Sequence, residues 1–292
     1  MIDKIAFSLP GSTTPELENA EVGFHGGIKG KYSNMSISVF PEKRIYCRGS
    51  LAKFLHGQNV TSLTREEFRR SLEKLEEESG WNLHNAEIRQ LEFGFTTPVN
   101  HPVGQYLGLI GRRPRSKRVV WENGMIQCIE NSTKSHSFIL YDKNAESRRN
   151  IPLLFQGMNL LRLELKLKKS VKKYLGSVSP WDLLEKDKYR SLNELFMDYY
   201  FSIPKLNQPV LDVTEKLTPK DFLKILEVVG IHSLGPELWR IIAILSESGK
   251  LSRVDRLREC LQRLNTNSKF TEPDELIKEL DSKVIAQTML ME

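Results

Sequence analysis

The chain has 292 residues, with 43 basic and 37 acidic side chains, a formal net charge of +6 and a pI near 9.1. That length suits one large domain or, as preferred here, two modest ones, and the charge favours an anionic partner without making the chain a basic tail. Cys47, Cys128 and Cys260 are too few and too dispersed for a zinc site or disulfide framework, and no apolar stretch is long enough to cross a bilayer, so a soluble, unprocessed cytoplasmic protein is expected.

Residues 2–9 read as a strand ended by Pro10-Gly11, and the Gly-rich region from Gly23 to Gly30 reads as a loop or hairpin. Met35 to Phe40 alternates as a half-buried strand does, with Ile45 to Ser50 its partner. Leu51 to Asn59 is a short apolar turn closed by Gly57. Thr64, with Glu67 three residues on, forms a capping box for a helix that gathers Phe68, Leu72 and Leu75 and ends at Gly80. In the strand Ala86 to Phe95, Leu91, Phe93 and Phe95 share one face, so Glu92 projects from the other. Val103 to Ile110 reads as a second helix, opened after Pro102.

Arg112 to Arg118 places five positive charges in a turn-like segment. Val119 to Ile129 carries the Asn123-Gly124 signature of a tight hairpin, and the strand from Ser135 to Tyr141 follows as its neighbour. Period-two alternation puts Tyr141 and Lys143 on one face, where a cation favours the phenolate, the form that attacks a phosphate. Leu161 to Lys168 sets four leucines against Arg162, Glu164, Lys166 and Lys168, and Lys172 and Lys173 extend the basic surface. If these polar faces converge, Glu92 and Glu164 supply carboxylates for a divalent metal on a phosphate attacked by Tyr141, while basic patches grip a nucleic-acid backbone. No Walker loop, dinucleotide fingerprint, HExxH or Gly-x-Ser-x-Gly is present.

From about residue 176 the pattern turns helical. Ser191 to Tyr200 is amphipathic, and Ile203 to Pro209 reads as a linker. Thr218 caps a helix that stops at Gly230, Pro236 opens another, and Ser252 caps a third that carries Arg253, Arg256, Arg258 and Arg263. These read either as a helix-turn-helix or winged-helix-like DNA-binding module or as a plain bundle packed on the first domain. The expected division is residues 1–175, an α+β domain built on a predominantly antiparallel sheet, and 176–292, a smaller α-helical domain.

Several of these segments, in this order, resemble the gene II replication initiators of filamentous phages. They are the start Met1-Ile2-Asp3, Ser50 to Asn59, the Arg89 to Phe95 strand with Glu92, Trp121-Glu122, the tyrosine strand with Glu146 five residues beyond Tyr141, Leu161 to Lys168, and Leu238-Trp239-Arg240. More distantly, the chain resembles plasmid rolling-circle initiators that carry a Tyr-x-Lys strand. The resemblance covers most of the chain and implies an HUH-like catalytic sheet, here without the paired histidines, since His101 and His136 stand alone.

It also implies a nicking and rejoining endonuclease that starts rolling-circle replication. Tyr141 would become joined to a 5′-phosphate and leave a free 3′-hydroxyl. Glu92 and Glu164 would hold Mg2+ or Mn2+, with Glu146 a third ligand or the proton acceptor, and Lys143 would stabilise the phenolate or phosphate. DNA contacts would come from Arg112, Arg113, Arg115, Lys117, Arg118, Arg162, Lys166 and Lys168. Lys53, His56, Gln58 and Asn59 would either join them or belong to a segment shaped by a turn at Gly57. Implied partners are single- and double-stranded origin DNA, a host helicase and polymerase, and further copies on DNA, in the cytoplasm of a bacterial host. The chain departs from these relatives in being shorter and in having Glu92 where many carry Asp. A catalytically silent DNA-binding or copy-control protein is the alternative; a sheet-based RNA-binding module is disfavoured because Phe93 and Phe95 share the apolar face.

Overall fold

The computed structural model describes residues 2–11, 14–22, 26–147, 151–209, 218–234 and 271–289. Its frame is a ten-stranded antiparallel sheet: β1 (Ile2–Pro10), β2 (Glu18–Val22), β3 (Ile28–Tyr32), β4 (Met35–Phe40), β5 (Arg44–Ser50), β6 (Glu87–Val99), β7 (Lys117–Asn123), β8 (Met125–Ser132), β9 (His136–Asp142) and β10 (Asn159–Leu167). The spatial order is β2-β3-β4-β5-β1-β6-β10-β9-β8-β7. Two runs of locally connected strands are thus joined along β1, β6 and β10. The Asn123-Gly124 turn closes the β7–β8 hairpin with Gly124 at φ 71°, a left-handed conformation that glycine adopts without penalty.

Alternation divides the sheet into two chemically different faces. Leu161, Leu163, Leu165 and Leu167 of β10 align with Phe93 and Phe95 of β6 and Phe138 and Leu140 of β9, all buried. Burial of each such side chain contributes roughly 1.5–3 kcal/mol. On the other face Gly94 lies opposite Glu164, and a Cβ there would meet the Leu163 carbonyl oxygen at 2.0 Å, so β6 and β10 approach closely only because residue 94 has no side chain.

The helices are α1 (Leu51–His56), α2 (Arg65–Ser79), α3 (Val103–Leu109), α4 (Lys143–Ser147), α5 (Val171–Leu175), α6 (Lys186–Phe201), α7 (Pro219–Leu234) and α8 (Glu275–Met289). The expected capping box is present at α2, where Thr64 Oγ1 accepts from the Glu67 amide and Glu67 Oε2 accepts from the Thr64 amide. Residues 51–56 form a helix where a turn was expected, because the Ser50 hydroxyl caps it at the Lys53 amide and Gly57 ends it at φ 73°. Likewise, α7 runs past Gly230 to Leu234.

The expected boundary near residue 175 does not separate the cores. Phe196 of α6 packs on Phe93, Phe95 and Phe138, and Leu280 and Val284 of α8 belong to the same buried cluster. Helices at both ends of the 176–292 segment therefore cover the apolar face of the sheet. β11 (Asn207–Pro209) and β12 (Thr271–Pro273) pair beside them, and α7 lies against β11. The expected helices after Pro236 and Ser252, with Arg253, Arg256, Arg258 and Arg263, lie outside the described residues.

Candidate functional site

The polar face forms a groove of about 790 Å³ lined by Asp3, Lys4, Glu92, Tyr141, Glu164 and Lys166 along its floor. Cross-strand registers explain why these residues meet. Lys4, Glu92, Lys166 and Ser137 form one row across β1, β6, β10 and β9, while Arg162 pairs with Tyr141 one pleat away. A register shift in β1 between Ile2 and Lys4 lets Asp3 reach this face as well, so two consecutive charged side chains enter the site.

Arg162 holds the arrangement together from a fully buried position. Its guanidinium donates to Glu164 Oε1 at 3.1 Å, Asp3 Oδ2 at 2.9 Å, Thr96 Oγ1 at 3.1 Å and Ser62 Oγ at 3.3 Å. Burial disfavours its charge, but Asp3 and Glu164 outweigh that and raise its pKa. Asp3 accepts in turn from Ser50 Oγ at 2.5 Å and Asn59 Nδ2 at 3.2 Å. Arg162 is thus an internal strut rather than the surface DNA contact expected from the alternation.

The two oxygens of Glu164 have separate partners. Oε1 accepts from the Tyr141 hydroxyl at 2.8 Å and from Arg162, while Oε2 faces the Lys166 ammonium at 3.4 Å. Burial alone would raise the Glu164 pKa, yet Arg162 and Lys166 bring its carboxyl down to about 2. Tyr141 responds in the opposite sense: burial and the Glu164 charge push its phenol far above the ordinary value, so the resting phenol is not the activated one that the Tyr-x-Lys spacing suggested.

Lys143 does not share the strand face with Tyr141. Asp142 Oδ1 accepts from the Asn144 and Ala145 amides, ending β9 and starting α4, so Lys143 turns inward. Its ammonium is buried and donates to Asn59 Oδ1 at 3.2 Å and Glu146 Oε2 at 2.7 Å. Burial lowers the Lys143 pKa despite Glu146. Glu146, at the groove rim, pairs with Lys143 and Ser147; the phenol's acceptor is Glu164 instead.

The segment Ser50 to Asn59 acquires mixed roles. Lys53 lines the groove, Asn59 links Asp3 to Lys143, His56 faces Glu67 at 3.2 Å, and Gln58 Oε1 accepts from the Val60 amide at 2.6 Å. The 112–118 cluster lies apart from the groove. Arg112 donates to the Ser116 carbonyl, Arg113 stacks on the Tyr199 ring at 4.0 Å, and Arg118 donates to the Ile110 carbonyl; Arg115 and Lys117 are exposed. Lys168 lines an adjoining trough with Arg48, Lys134, Lys166 and Lys169.

Glu92 Oε2 lies 3.5 Å from Lys166 and 3.2 Å from Lys4. Among the described residues no cluster of three or more His, Cys, Asp or Glu is placed to hold a metal. Mg2+ is commonly held by one or two carboxylates plus water and substrate phosphate, and Glu92 and Glu164 fit that smaller donor set, converging on one ammonium.

Sequence reasoning left Asp3, Lys4, Lys31 and Arg48 out of the site. A charged pair inside the apolar run Ile2 to Leu9 was the available signal for the first two. Lys31 and Arg48 reach the groove only through pairing of β3, β4 and β5, which local pattern does not reveal.

No protein-family model matches the sequence, and no curated protein matches it. Among solved structures, Methanococcus jannaschii TBP is similar at a TM-score of 0.32 and 14% identity, over 68% of this chain and 97% of that one. No described helix is long and apolar enough to cross a membrane.

Proposed function

We propose that this protein is a rolling-circle replication initiator that nicks and rejoins DNA through Tyr141. The observation that carries this reading is a lone groove-floor phenol hydrogen-bonded to an ionised carboxylate and surrounded by lysines able to meet a phosphate. In the proposed step the Tyr141 oxygen attacks phosphorus, its proton passes to Glu164 Oε1, the P–O3′ bond breaks and the 3′-oxygen leaves as a hydroxyl. The 5′-phosphate stays on Tyr141, and attack by a 3′-hydroxyl reverses the step and joins ends.

A carboxyl held at about 2 is a weak base for so weakly acidic a phenol, so substrate has to change the balance. Lys166 provides the means, because its partly exposed ammonium is shared between Glu92 and Glu164. An incoming phosphate draws that ammonium, which raises the proton affinity of Glu164 and neutralises charge on the phosphate. Glu92 and Glu164 Oε2 would hold Mg2+ or Mn2+, which when bound supplies charge neutralisation at the scissile phosphate. Asp3, Arg162, Asn59 and Lys143 position the carboxylate and the α4 end of the groove.

A second reading, a sequence-specific DNA-binding or copy-control protein with a silent centre, draws on the strongly raised Tyr141 pKa. The discriminating experiment is incubation of a supercoiled plasmid bearing the element's own origin with protein and Mg2+ or Mn2+. Conversion to nicked circles supports the initiator; retention of supercoils alongside specific binding supports the second reading.

A further inference from the structure

Trp121 stands on the groove wall with 47% of its surface exposed, although most large apolar side chains of the sheet are buried. Its position is set by register. Trp121 pairs with Cys128, Cys128 with Tyr141, and Tyr141 with Arg162, forming one row across β7, β8, β9 and β10. Strands lie roughly 4.8 Å apart, so the indole is about 10 Å from the phenol's strand across a small thiol that leaves the space between them open. Lys31, Arg48 and Lys53 also line the groove, and among the described residues no ion pair holds them.

We propose that Trp121 is a stacking platform for an unpaired base of single-stranded DNA, with Lys31, Arg48 and Lys53 meeting its phosphates. In a duplex both faces of a base are covered by its neighbours, so an indole on the wall of a concave groove reaches a base face only where the strand is unpaired. An aromatic wall opposite lysines and arginine is the combination that binds single strands with little sequence preference. The assignment of the phosphate near Tyr141 rests on the nicking reading, whereas the stacking contact does not. The stacked base lies within about two nucleotides of that phosphate, given the lateral offset of two strands.

The test is binding of a fluorescein-labelled, mixed-sequence single-stranded DNA of about 12 nucleotides to full-length Tyr141→Phe protein, with and without Trp121→Ala or Trp121→Phe. Trp121→Ala is expected to weaken binding about tenfold or more, Trp121→Phe much less, and duplex binding is expected to stay unchanged. Oligonucleotides with one abasic position supply an arm that needs no further variant: one or two positions should reproduce the loss, without adding to Trp121→Ala. Absence of single-strand binding, equal binding by Trp121→Ala, a flat abasic scan, or tighter binding of RNA of the same sequence would each overturn the proposal. Because Tyr141→Phe is used throughout, a wild-type protein that binds in this way yet never nicks sinks the initiator reading alone.

Discussion

The Tyr141 hydroxyl donates to Glu164 Oε1 at 2.8 Å across neighbouring strands, and Arg162 Nε donates to that same oxygen at 3.1 Å. The phenol and guanidinium therefore share one acceptor, while Glu164 Oε2 remains on the Lys166 side. This division gives one carboxylate two tasks: ordering the phenol and balancing the cations beneath it.

Glu164→Gln keeps the side chain's shape and removes its charge. Since that charge raises the phenol pKa, the Tyr141 pKa should fall, as read by NMR titration of 13C-labelled tyrosine. Nicking should nevertheless drop by about 10²-fold or more, because the proton acceptor is lost. An unchanged rate would remove Glu164 from proton transfer.

Arg162→Met should be among the most destabilising substitutions in the chain. It strands Asp3 and Glu164, 3% and 4% exposed, without the cation that both contact, and breaking a buried pair costs about 3–5 kcal/mol. Urea denaturation measures this directly; a loss below about 1 kcal/mol would mean that lysines or water replace the guanidinium.

Acid should weaken the fold through Glu164. Its carboxyl is held near 2 in the folded chain against an ordinary value of 4.5, so its stabilising contribution is complete above pH 4.5 and disappears as pH falls toward 2. That difference corresponds to about 3 kcal/mol for this buried group. The urea midpoint of the wild type should therefore fall more steeply below pH 4.5 than that of Glu164→Gln.

Lys166 occupies the point where the Glu92 and Glu164 carboxylates converge. Lys166→Met should consequently raise Mn2+ affinity, measured by electron paramagnetic resonance of free Mn2+, and adding Glu92→Gln should reverse the gain. No gain in Lys166→Met would show that the carboxylate pair does not bind the ion.

Much of this arrangement was legible in sequence because it depends on alternation. The four leucines of β10 fixed which of its faces is apolar, and thereby placed Arg162, Glu164 and Lys166 together on the other. Glu92 followed from the same rule in β6. Alternation failed at Lys143, where the Asp142 side chain captures two amides and ends the strand one residue before the pattern needs it to continue. It failed again at Arg162, whose burial depends on Asp3 arriving from a bulge in β1, a long-range event that no local period encodes. The five cations of residues 112–118 gave a charge signal without geometry: Arg113 and Arg118 are committed to Tyr199 and the Ile110 carbonyl, away from the groove.

The most direct test of the central claim is reaction of wild-type and Tyr141→Phe proteins with 32P-labelled single-stranded origin DNA and Mg2+ or Mn2+, followed by denaturing electrophoresis and peptide mapping of any labelled protein. A labelled band that maps to the peptide containing Tyr141, and is absent from Tyr141→Phe, is the predicted result. Cleavage that persists in Tyr141→Phe, or an adduct mapping to another residue, would contradict the account.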